Sequence, residues 1–258
     1  MIQYRAYAKV NIFLKITGKR DGYHTITSRF MRISSLYDTL WFEPKSNPEF
    51  EIRGNFDCDI GSNTIYKAYK NLLAATNSDK LSHWMENNAV CVNKQIPSFA
   101  GLGGGSSDAA TYLHMCNEQL ELELSTEALA VIGANVGADV PFFVYGYESA
   151  NVSGIGEIVE RYDEKPLEFE IITPQIQIST PAVYNYYREH LYAPINSYEA
   201  AKLQLMSSLD ILTTINPKEA NDLYPAALKS YPELCEKEGW FFSGSGSSFF
   251  RLKGHING

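Results

Sequence analysis

The 258-residue sequence predicts a mixed α/β fold, long enough for one large domain or two modest ones. Three observations predict it. Residues 9–16 alternate with period two, as a strand does. Two later stretches carry apolar residues at helical spacing: Ile65, Ala68, Tyr69, Leu72 and Leu73, then Ala109, Leu113, Cys116 and Leu120. Between strand and helix patterns lies a run rich in glycine, residues 101–107.

In chain order, Val10, Ile12, Leu14 and Ile16 share one face of the first strand, while Lys9, Asn11, Phe13 and Lys15 share the other. This reads as a half-buried strand with Lys9 and Asn11 pointing the same way. Residues 18–22 read as a turn, and 25–34 as a second strand. Further strands follow at 38–42 and 50–53, with Pro44 and Pro48 between them. Ser62 or Asn63 can cap the next helix, and 89–92 reads as a strand. Ser125 can cap a helix with Glu127 in its first turn and Gly137 at its end. Residues 141–145 form a short apolar run expected as a strand. Beyond them, strands are expected at 169–173 and 249–252, and helices at 182–190, 199–209 and 219–230. A domain boundary is expected near 150–165.

Composition removes several functions. Lys and Arg number 22 against 30 Asp and Glu, a net charge of −8, which disfavours nucleic acid as a partner. Cys58, Cys91, Cys116 and Cys235 form no CxxC pair, so neither a zinc site nor a disulfide framework is expected, and reduced thiols fit a cytoplasmic setting. His24, His83, His114, His190 and His255 show no metal-ligand spacing. Lys9 and Lys15 interrupt the apolar N-terminal segment, so no secretory signal is expected, and no stretch approaches a membrane span. No G-x-S-x-G is present.

The most informative stretch is Pro97-Ser98-Phe99-Ala100-Gly101-Leu102-Gly103-Gly104-Gly105-Ser106-Ser107. Glycine lets the backbone approach an anion, and the helix start that follows offers unpaired N–H groups and a partial positive charge. The serine hydroxyls add donors. The pattern is a phosphate cradle, though neither a Walker A loop nor GxGxxG. Asp139, in Gly137-Ala138-Asp139-Val140-Pro141, lies in an apolar setting that can tune a carboxylate as a base; a cap or turn residue is the alternative. Lys9 is either a functional cation or a solvated lysine on a strand face.

Three segments resemble, in the right order, the motifs of the GHMP kinase superfamily: Ala8-Lys9-Val10-Asn11-Ile12-Phe13-Leu14, the stretch from Pro97 to Ala110, and Phe242-Ser243-Gly244-Ser245-Gly246-Ser247. The segments Gly18-Lys19-Arg20-Asp21-Gly22-Tyr23-His24, Gly137 to Pro141, and Gly154-Ile155-Gly156-Glu157 resemble a branch acting on a diphosphocytidyl methylerythritol in the non-mevalonate isoprenoid route. The resemblance implies an N-terminal ribosomal S5 domain 2-like domain over 1–158 and a ferredoxin-like α+β domain over 159–258, with the active site in the cleft. It implies transfer of the ATP γ-phosphoryl group, with Mg²⁺, to a tertiary 2-hydroxyl. Asp139 would be the base, Lys9 would orient it and stabilise charge, and Asn11 would lie near the reacting hydroxyl.

By the same resemblance Tyr23 and His24 would hold the cytosine with Tyr184 as second aromatic. Thr180, Gly244 and Ser245 would also touch substrate, and Asn63 would join residues 97–107 in holding ATP. Metal ligands are not assigned, and a monomer or homodimer is expected. The chain departs from the family pattern at Ser98-Phe99-Ala100, where Phe99 is expected to reshape the adenine side, and in the short stretch after Arg251. Mevalonate, homoserine or sugar kinases are the near rivals, set apart by Tyr23, His24 and Tyr184. A nucleotide sensor without catalysis is disfavoured by Lys9 and Asp139, and an S5-like RNA-binding module by the acidic balance.

Overall fold

A computed structural model describes residues 1–254; His255 lies outside them. The chain divides into two compact units, each discontinuous in sequence. The first holds Met1–Ala8, Ser34–Ser98 and Gly103–Gly146, and the second holds Lys9–Ile33, Phe99–Leu102 and the chain from Tyr147 onward. Strands β1 (Tyr4–Arg20) and β2 (Tyr23–Pro44) run through both.

In the first unit, β3 is Ile52–Arg53, α1 is Thr64–Thr76 and α2 is Asp79–Asn87. They are followed by β4 (Asn88–Asn93), α3 (Gly104–Gln119), α4 (Thr126–Ala134) and α5 (Val140–Tyr145). The second half of β2 pairs antiparallel with β4, register Trp41 to Cys91, and β3 adds parallel to β4. Helix α3 packs against α1 and α5, and α4 against α5. Leu40, Ile65, Leu72, Tyr112, Leu113 and Val140 are among the buried residues that fill this core. Each side chain of that size removed from water contributes about 1.5–3 kcal/mol. Asn63 caps α1, its Oδ1 accepting from Ile65 N at 2.9 Å, and Ser125 caps α4 by accepting from Ala128 N.

In the second unit, β1 and β2 form a hairpin closed by Asp21 and Gly22, both at positive φ as a two-residue turn requires. The first half of β2 pairs antiparallel with β5 (Ser149–Gly154), which pairs with β6 (Ile158–Arg161). A separate three-stranded sheet holds β7 (Phe169–Ile172), β8 (Phe241–Phe242) and β9 (Phe249–Leu252) in the order β7-β9-β8. The helices are α6 (Thr180–Tyr186), α7 (Ser197–Leu205), α8 (Ser208–Thr214), α9 (Pro217–Ala220) and α10 (Leu223–Ser230). A π turn, Tyr187–Leu191, extends α6. Leu14, Ile16, Val183, Leu223 and Phe249 are in its core.

Several expectations are corrected. Residues 141–145 are helical: Pro141 suits the first turn, where its missing N–H costs nothing, and Gly146 ends the helix at φ 66°. The strands expected at 25–34 and 38–42 are one strand, the 18–22 turn shrinks to two residues, and of 50–53 only Ile52–Arg53 is extended. Helix α4 stops at Ala134, before Gly137, and α2 carried no expectation. The helices expected at 199–209 and 219–230 are each broken, the first where Ser207 caps α8 and the second at Asn221. The first strand is buried on both faces rather than half-buried. All four cysteines are free thiols, and among the described residues no helix is long and apolar enough to cross a membrane.

Candidate active site

Within the second unit, the first strand, part of the glycine-rich loop and the C-terminal glycine turn close into one hydrogen-bonded web. Lys9 is 3% exposed, so it is not a solvated lysine. Its ammonium donates to Asn11 Oδ1 at 2.6 Å and to the Gly101 carbonyl at 3.3 Å, and sits 4.5 Å above the Phe30 ring. Its backbone N–H donates to Leu102 O at 2.9 Å. Asn11 is held in turn, since its amide Nδ2 donates to Ser28 Oγ at 3.0 Å, and the Ser28 hydroxyl donates to the Phe13 carbonyl.

Ser243 ties the web to the C-terminus: its Oγ accepts from Asn11 N at 3.4 Å and donates to Gly101 O at 2.9 Å. Ser247 N and Ser248 N donate to the carbonyls of Phe99 and Ala100. A side chain at position 101 cannot fit this closure. A Cβ there would lie 2.1 Å from the Ser243 carbonyl oxygen, and φ is +72°. Phe99, 47% exposed, holds φ +53°, an uncommon backbone state for a bulky residue. Asn221 Nδ2 braces the turn from below, donating to Phe242 O and Gly244 O at 2.9 and 2.8 Å. Thr180 Oγ1 and Ser245 Oγ lie 2.7 Å apart.

The cytosine candidates occupy the same unit in unequal settings. Tyr23 is exposed, whereas His24 is buried, stacked on Tyr184 at 5.4 Å and edge-on to Tyr187 at 5.8 Å. His24 Nε2 is buried without a hydrogen-bond partner among the described residues. Burial, aided by the charges of Lys19 and Arg188, lowers the His24 pKa, so the ring is neutral at pH 7 with both a donor and an acceptor nitrogen to offer.

In the first unit, Pro97 and Ser98 are exposed, and Gly103 at φ 74° stands at the N-cap of α3 with no side-chain cap. The glycines do more than precede the helix: Gly104 and Gly105 are its first turn. The first intrahelical bond is Ser107 N to Gly103 O, so the N–H groups of Gly104, Gly105 and Ser106 have no partner within the helix. Thr64 Oγ1 donates to Gly105 O at 2.6 Å, which links the Asn63 cap to the loop. Asp139 occupies the N-cap of α5, yet its carboxylate makes no capping bond there.

Sequence reasoning missed a buried triad behind the loop. The Lys94 ammonium donates to Asp38 and, at 2.7 Å, to Asp108 Oδ2, while Asp38 Oδ1 accepts from Gln95 N and Ile96 N. Burial, with help from the Asp38 charge and against Lys94, pushes the Asp108 carboxyl up to about 7. The clue was a lysine and an aspartate bracketing the glycines. For Asn221 it was an asparagine inside a predicted helix, where its side chain competes with the backbone.

A glycine loop entering a helix, laced to a strand-borne buried lysine and a second glycine turn, is the architecture of a small-molecule kinase, and residues 63–147 match the GHMP kinases N terminal domain. A 4-diphosphocytidyl-2-C-methyl-D-erythritol kinase of Sulfurimonas denitrificans is 58% identical over 97% of this chain and 96% of its own length. The chain belongs to the 4-diphosphocytidyl-2-C-methyl-D-erythritol kinase family. A crystal structure of 4-(cytidine 5′-diphospho)-2C-methyl-D-erythritol kinase matches with a TM-score of 0.73 at 30% identity, covering 97% of this chain and 90% of that one. Methanococcus jannaschii mevalonate kinase, at 15% identity and a TM-score of 0.62 over 97% of this chain and 90% of its own, shares the fold. The fold is thus that of the GHMP kinases, and the family implies ATP as donor with a small-molecule alcohol as acceptor.

Proposed function

We propose that this chain transfers the γ-phosphoryl group of ATP to the 2-hydroxyl of 4-diphosphocytidyl-2-C-methyl-D-erythritol, the kinase step of the methylerythritol phosphate route to isoprenoids. The observation that carries it is the burial of Lys9 against the glycine-loop carbonyl of Gly101, with Asn11 locked beside it. Substrate identity rests on the 58% identical relative. Phosphoryl transfer asks mainly for positioning and charge stabilisation. The open N–H groups of Gly104, Gly105 and Ser106 hold phosphate oxygens at the positive end of α3. Asp139 accepts the hydroxyl proton as the oxygen attacks, and Lys9 steadies the negative charge that develops.

Asn11 orients the alcohol, Tyr23 and Tyr184 flank the cytosine, and the unpartnered His24 Nε2 reads its edge. Thr180, Gly244 and Ser245 line the substrate side, while Asn63 and residues 97–107 hold the nucleotide. Among the described residues no three His, Cys, Asp or Glu side chains gather as a metal cage. Mg²⁺ fits regardless, because it keeps waters and phosphate oxygens and takes few protein ligands; the Ser106 hydroxyl at the start of α3 is the side chain proposed to reach it. Bound there, the ion would neutralise phosphate charge. Residues 1–158 are proposed as the catalytic segment, which contains the matched 63–147, and 159–258 as the C-terminal segment. A cytoplasmic enzyme, monomer or homodimer, suits these substrates.

Phosphorus NMR of the product tests the reading. A new phosphomonoester on the tertiary carbon is expected, and Asp139→Asn should lower kcat by about 10²–10⁴-fold. A phosphate on another hydroxyl, or a variant within a few-fold of wild type, contradicts it.

A further inference from the structure

Lys19 and Arg188 stand at the rim of the His24 cluster without carboxylate partners among the described residues. The Lys19 ammonium lies 4.1 Å above the Tyr192 ring, and Tyr192 is itself 6.0 Å from His24. A cation–π contact tethers a charge without neutralising it. Arg188 follows Tyr187, whose ring meets His24 edge-on, and its Nη2 donates to the neutral Asn185 Oδ1 at 2.9 Å. Both side chains are exposed. Their situation differs from that of other cations on the same strand: Lys15 pairs with Asp222 and Arg20 with Glu157, while Lys19 enters no ion pair among the described residues.

Two like charges are therefore held close to one buried neutral imidazole, in a protein of net charge −8. Each charge disfavours a proton on that ring, and an anion placed beside the ring would meet both cations. A nucleoside diphosphate presents that shape, with a flat base for the aromatic cluster and, one ribose away, two adjacent charges. We infer that Lys19 and Arg188 form an anion clamp at the rim of the His24 pocket that takes the diphosphate of a cytidine-diphosphate-linked substrate. The inference rests on the proposed substrate and adds the residues that make the enzyme demand its diphosphate. The guanidinium can bind phosphate oxygens through two N–H groups, and the ammonium acts as a point charge.

Calorimetric titration of cytidine and CDP tests it, using wild type, Lys19→Gln, Arg188→Gln, the double variant, and Lys229→Gln as an exposed lysine elsewhere. Wild type and Lys229→Gln should prefer CDP. Each clamp variant should lose about tenfold in CDP affinity while its cytidine affinity holds, and the double variant should lose most of the salt dependence. An unchanged CDP-to-cytidine ratio in the double variant overturns the clamp while leaving the kinase assignment intact. Equal loss of both ligands overturns it too, since that marks damage to the aromatic cluster. Wild type binding neither ligand removes the cytidine substrate itself, and the clamp with it.

Discussion

At position 101 a single methyl group has no room. Alanine would set a Cβ 2.1 Å from the Ser243 carbonyl oxygen at a φ of +72°, so either the loop or the C-terminal turn must retreat. Both carry the hydrogen bonds that hold Lys9 and Asn11. Gly101→Ala should therefore lower kcat/KM by about 10²-fold, because a displacement near 1 Å at a reacting centre costs that much. Steady-state kinetics with ATP and the alcohol checks this; a loss under threefold would mean that the web does not set the geometry. Lys9 illustrates the same scale from the opposite side. Its burial is tolerable because the ammonium is fully engaged, and a buried cation without such partners would cost several kcal/mol (about 3–5).

Helix α3 carries the next prediction, through Asp108 in its second turn. Its carboxyl is pushed up to about 7 by burial, whereas an unfolded aspartate titrates at roughly 3.9. From about pH 4 to about 7 the unfolded chain gives up this proton and the folded chain keeps it, so stability falls as pH rises through that window and levels off above it. Asp108→Asn removes the effect without changing shape. Urea unfolding at pH 5 and 8 should show wild type losing on the order of 2 kcal/mol more than the variant. A pH-independent difference between the two would contradict the assignment.

Elements also show what the sequence could convey. Period two marked β1, and helical stripes with Asn63 and Ser125 as caps marked α1 and α4, because local pattern and tertiary burial agreed there. The run at 141–145 misled, since five apolar residues have no diagnostic period and the Pro141 and Gly146 punctuation outweighed them. The loop and the first turn were legible from composition, and the C-terminal glycine turn from the family resemblance. Their stapling by Ser243, Ser28 and Asn221 was not, because partners 17 to 232 residues apart leave no local trace.

For the whole molecule, the acidic balance, the GHMP kinase fold and the relative that is 58% identical across almost the full chain converge on one reaction. Mevalonate kinases share the fold at 15% identity, so the fold leaves the acceptor open. In the proposed function acceptor choice falls to the aromatic cluster around His24 and to the cations at its rim, features that suit a nucleotide-bearing alcohol. ADP release measured side by side with 4-diphosphocytidyl-2-C-methyl-D-erythritol, mevalonate, homoserine and galactose is the most direct test. Turnover of the diphosphocytidyl alcohol alone is the predicted result; turnover of one of the other three, with the first left untouched, would contradict it.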